Sequence, residues 1–133
     1  MTIEEIYAKG IEFAAQFRLA LNWQSTDAER IEQVIMPAME EALKAGELND
    51  IAVQNIAAML GVYLGELMLR DFAAEQGWKW ARESADGLPY LTDGARSINP
   101  TAKVYKRVTQ GSTDSVSSFY NVCRAIVTGK LTI

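Results

Sequence analysis

Apolar residues recur at helical spacing through the first half of the chain. Ile3, Ile6, Tyr7, Phe13, Ala14, Phe17 and Leu21 share one face, with Glu4, Glu5, Glu12 and Arg18 elsewhere, which predicts a helix from Ile3 to Leu21. The early glutamates suit the positive end of its dipole. After the short connection "LNWQS", "TDAE" has the form of a capping box, with Thr26 and Glu29 each bonding the other's amide. A second helix then carries Ile31, Val34, Ile35, Ala38, Met39, Ala42 and Leu43 on one stripe and ends at Gly46. Pro37 inside that stripe predicts a kink or break, because proline has no N–H to donate and its ring crowds the preceding turn. A third helix, capped by Asn49 or Asp50, runs from Ile51 to about Glu75 and closes at Gly77. It is apolar nearly all round, so it is expected to be the buried rod against which the others pack.

Beyond Gly77 the period changes. "WKWAR" alternates, placing Trp78, Trp80 and Arg82 on one side. Asp-Gly turn signals flank "LPYLT", and a third short run covers Ala95 to Ile98. These predict a three-stranded antiparallel meander with its tryptophan face on the helices. "NPTAKVYKRVTQG" alternates enough for a strand, but Asn99 as cap, Pro100 at the first helical position and Gly111 as stop favour a helix. A last helix starts after Thr113 or Asp114 and buries Val116, Phe119, Tyr120, Cys123, Ile126 and Val127. The expected fold is a single α+β domain over residues 1–133: three N-terminal helices around a buried central one, a small meander, and two C-terminal helices.

Composition matters mainly for what it excludes. With no histidine and one cysteine, Cys123, neither the usual zinc ligand sets nor Ser-His-Asp and Cys-His catalysis can be assembled, and no internal disulfide can form. No cofactor is expected. The acidic, amphipathic start does not resemble a secretory signal, and the greasiest stretch, Ile56 to Leu69, is shorter than the ~20 residues of a membrane span. A cytoplasmic protein with no membrane partner is expected. The net charge of −4 is uneven: residues 1–77 carry 5 basic and 13 acidic side chains, residues 78–133 carry 8 and 4. Either the halves neutralise each other on packing, which is the favoured reading, or the second half presents a basic face to an acidic partner.

Glu66 is the odd letter in "LGVYLGELMLR". A buried carboxylate needs partners. Arg70 lies four residues on, in the favoured order, and Tyr63 three residues back has a hydroxyl to donate. A structural ion pair is the leading reading, and a cleft lined by Tyr63, Glu66 and Arg70 the alternative. Gly61 and Gly65 are expected to let another element approach closely. Trp78 and Trp80 offer stacking surfaces but more often form core, while Lys106 and Arg107 head a basic cluster. The pI of about 4.8 and the lack of an RNP-like motif place nucleic acid well below protein as a partner.

Taken together, "LNWQSTDAERIEQVI", "LGVYLGELMLR", "GWKW", "INPTAKVYKRVTQG" and "DSVSSFY" resemble a family of small bacterial proteins known only as a domain of unknown function. The resemblance covers about Leu21 to Tyr120. It singles out Gly61, Tyr63, Gly65, Glu66, Trp78, Asn99, Pro100, Lys106, Arg107, Gly111, Asp114 and Ser115. It implies no catalytic residues. Small acidic proteins of this kind look like bacterial immunity proteins, which block a toxin with a rigid surface. The expected function is therefore a non-enzymatic protein-binding module of the immunity or accessory type, with a small-ligand binder or enzyme at Glu66, Tyr63 and Arg70 as the alternative.

Overall fold

The computed structural model describes residues 1–130. Its fold is α+β. Helix α1 (Ile3–Ala15) is followed by α2 (Asp27–Arg30), which widens into a π-turn (Ile31–Ile35) and resumes as α3 (Met36–Lys44). Helix α4 (Asp50–Met68) continues through a second π-turn (Leu69–Ala73) and a 3-10 turn (Ala74–Gln76). Strands β1 (Lys79–Ala81), β2 (Tyr90–Thr92) and β3 (Ser97–Ile98) form an antiparallel meander in which Trp80 faces Leu91 and Leu91 faces Ile98. Helices α5 (Pro100–Gln110) and α6 (Val116–Val127) complete the chain, so the "NPTAKVYKRVTQG" segment is helical.

Helix α4 is the central rod: Leu60, Gly61, Val62, Tyr63, Leu64 and Gly65 are all buried, and α1 and α5 pack most extensively against it. With its two terminal turns it runs 27 residues, long and apolar enough by composition to cross a membrane, although 61% of its apolar window is buried within the protein. The run agrees with the helix expected from Ile51 to about Glu75, and it ends at the left-handed Gly77 as expected.

Three local expectations change. The first helix ends at Ala15, not Leu21, in a Schellman motif whose left-handed residue is Arg18 at φ 58°. The Leu19 amide donates to Ala14 O and the Arg18 amide to Ala15 O. Breaking there lets Leu19 and Leu21 turn into the core. The capping box does not form either. Thr26 is already helical and makes no side-chain cap, while the Asp27 carboxylate takes the amides of Asn22 and Gln24. Finally, the break expected at Pro37 is a π-turn: the Met36 amide donates to Ile31 O, which opens the helix by one residue ahead of the proline. That extra residue turns Val34 off the apolar stripe, and it is 42% exposed. The caps of the later helices lie within a residue or two of their expected places. Asn49 accepts from the Ala52 amide and Ser115 from the Ser118 amide, although Asn99 makes no side-chain cap above Pro100.

The two α4 glycines are close-contact points. A Cβ on Gly61 would lie 2.5 Å from the Cα and 2.7 Å from the amide nitrogen of Thr101, so α5 meets α4 backbone to backbone. A Cβ on Gly65 would collide with the indole of Trp80. Gly61→Ala is therefore expected to cost about 1–3 kcal/mol in urea melts, because whole helices must separate. Gly65→Ala should also destabilise, since its Cβ would clash with the Trp80 indole, lie 3.2 Å from Pro100 Cγ and displace the indole from Glu66. Equal stability of Gly61→Ala and wild type would show that α4 and α5 have room to spare.

Candidate functional site

Four of the seven sequence candidates converge on one side of α4. Arg70 Nε donates to Glu66 Oε2 at 3.1 Å, and the Trp80 indole donates to Glu66 Oε1 at 3.0 Å. The Glu66 side chain retains only 20% exposure. Tyr63 does not reach Glu66. It is wholly buried, and its hydroxyl donates instead to Asp27 Oδ2 at 2.5 Å while accepting from the Trp23 amide at 2.9 Å. The helical geometry explains this: a residue three before Glu66 can point to a different neighbour when a stronger acceptor lies across the packing. Burial first, then the bond to Asp27, push the Tyr63 phenol well above its ordinary value.

Two residues absent from the sequence candidates organise this cluster. Trp23, left-handed at φ 65°, stacks on Tyr63 with ring centroids 4.5 Å apart, and the Arg70 guanidinium sits 3.6 Å over its ring. Asp27 is fully buried. It accepts from Tyr63, from the Asn22 and Gln24 amides, and from Arg30 Nη1 at 2.9 Å. The cluster is a lock between α1, α2, α4 and β1. Tyr63, Glu66 and Arg70 line none of the five principal concavities, and the Trp80 indole packs against Gly65 beside Glu66.

The remaining candidates separate. Trp78 is buried, with Arg96 5.3 Å from its ring centroid. Arg107 is 3% exposed and bridges Glu32 (2.7 Å) and Glu40 (2.8 Å), and the other oxygen of Glu32 accepts from the Val116 amide at the start of α6. Arg124 pairs with Asp71 at 2.5 Å, and Tyr120 donates to the same carboxylate. Thus basic side chains of the second half close onto acidic ones of the first, which accounts for part of the uneven charge. Cys123 is buried, and burial pushes its thiol up to about 12, so it is a core residue with no thiolate character. Among the described residues no three Asp, Glu or Cys side chains converge as a metal-ligand set.

Lys106, one step around α5 from Arg107, is exposed and makes no ion pair among the described residues. It lines a groove of about 680 Å³ between α4, α5 and the β1–β2 loop. Ala57, Thr101, Ala102, Leu88, Tyr90 and Tyr105 also line it. Tyr105 is held upright by donating its hydroxyl to Asp50 at 2.5 Å, a bond that also raises its phenol pKa. A smaller concavity of about 340 Å³ lies across α5, where Ile98, Phe119, Val122 and Ile126 meet Lys103. The two share Asn99, Ala102 and Lys106. No protein-family model, curated protein or solved structure matches the chain.

Proposed function

We propose that this chain is a non-enzymatic protein-binding module whose partner face is the exposed side of α5 and the groove beside it. One observation carries the reading. The buried ionic groups Asp27 and Arg107 are engaged in locking elements together, whereas the groove beside α5 is lined by small, aliphatic and aromatic side chains and by Lys106, which makes no ion pair among the described residues. Leu88 on its rim is 56% exposed and Val122 across α5 is 46% exposed, so apolar surface lies on both sides of Lys106. Exposed apolar side chains around a polar centre are what a recognition face offers. An immunity or accessory role needs a rigid face of this kind and no chemistry of its own.

A second reading, capture of a small ligand, is favoured by the groove's size, which falls within the ~300–1,000 Å³ of ligand pockets, and by Gln54 and Asn99 on its walls. The test that separates the two uses Ala102→Trp, an exposed substitution that fills the shared centre of both concavities. Wild type should capture a host protein that Ala102→Trp does not, with equal melting temperatures. Capture of the same proteins by both, or of none by wild type, would overturn the protein-binding reading.

A further inference from the structure

The groove is lined by charge of both signs. Lys106 stands on α5, and Glu83 stands on the β1–β2 loop. Both are exposed, and neither makes an ion pair among the described residues. Every other charged side chain that borders this groove or its neighbour across α5 is already matched: Lys103 pairs with Asp114 at 3.1 Å. The same lining includes the small or apolar side chains of Ala57, Ala102 and Leu88.

On this basis we propose that the groove takes a bipolar segment of a partner protein, with an acidic side chain meeting Lys106, a basic one meeting Glu83 and an apolar residue packing on Ala57, Ala102 and Leu88. The proposal rests on the protein-binding reading and adds the chemistry of the bound segment. A segment of one sign leaves one wall charge facing a like charge. An uncharged segment strips water from both walls without replacing it.

A displayed library of short random peptides, selected separately against wild type, Lys106→Glu, Glu83→Lys and the double reversal, tests this. Wild type should enrich sequences that combine one acidic, one basic and one apolar residue. Either single reversal should weaken those peptides about tenfold, the loss of one charge-assisted contact. The double reversal should enrich the same pattern with its charges exchanged. Enrichment of single-sign or uncharged peptides, or binding indifferent to the reversals, would overturn the bipolar rule. If host capture is still lost in Ala102→Trp, the docking face survives that failure; if capture persists there, the underlying reading has failed instead.

Discussion

Asp27→Ala is expected to lower stability by about 3–5 kcal/mol, the usual consequence of removing one member of a buried charged network. The carboxylate is wholly excluded from solvent and accepts from the Tyr63 hydroxyl, the Asn22 and Gln24 amides and Arg30. Arg30 is 37% exposed and can turn to water. The Tyr63 hydroxyl is buried and has no such outlet, and an unsatisfied buried donor costs about 1–3 kcal/mol. The connection from Leu21 to Gln24 also loses what holds Trp23 left-handed at φ 65°. With Trp23 go its stacking on Tyr63 and the platform under Arg70. In a domain of this size the melting temperature should fall by roughly 10 °C or more. Asp27→Asn, which keeps one acceptor oxygen, should cost about half as much. Tyr63→Phe and Asp27→Ala should be strongly non-additive in a double-mutant cycle, since each removes the Tyr63–Asp27 bond. Additive losses, or an Asp27→Ala variant that melts with wild type, would refute a structural role for this lock.

Much of this arrangement was legible from residue spacing, and the exceptions share a cause. The central helix announces itself because six consecutive buried positions, 60–65, leave no polar face. The meander is legible because Asp-Gly turns bracket short alternating runs. Asp27 was not, because as a first-turn carboxylate beside Thr26 it has the sequence signature of a surface cap. Its burial depends on Tyr63, which lies 36 positions away. The end of α1 was hidden because Arg18 occupies a position usually held by glycine. Pro37 did signal a break, but not that a π-turn would rotate Val34 outward. For Glu66, the partner at helical spacing, Arg70, was readable, whereas Trp80 arrives through tertiary packing against Gly65. Lys106 and Arg107 look equivalent as letters. One step around α5 puts the first on a groove and the second in the core, and the small residues in the groove lining, Ala57 and Ala102, have no signature of their own.

Arg107→Met should cost nearly as much as the loss of Asp27 at neutral pH, about 3 kcal/mol, and should do so in a pH-dependent way. The guanidinium joins Glu32 in the first π-turn to Glu40 on α3, and Glu32 in turn holds the first amide of α6. Methionine fills the volume but leaves two carboxylates facing each other. Both keep some solvent, at 14% and 23% exposure, which sets the cost at the low end of the buried range. Lysine, a point charge without the forked geometry, should recover only part of the loss. The hydrogen bond from Arg107, followed by that from Lys44, holds the Glu40 carboxyl below its ordinary 4.5. A carboxyl depressed in the folded state contributes stability that is fully present above its unfolded pKa and is lost as pH falls through the folded one. Wild type should therefore lose stability below about pH 4.5. In Arg107→Met, Glu40 returns toward its ordinary value and that part of the acid slope flattens. Asp71 is the internal control: burial raises its carboxyl, but bonds from Arg124 and Tyr120 outweigh burial and hold it low, and the substitution touches none of these. Urea melts between neutral pH and pH 3 should show the gap between wild type and Arg107→Met widest at neutrality and narrowing in acid. A gap that stays constant across that range would mean that Arg107 stabilises the fold through its packing and not through its two carboxylates.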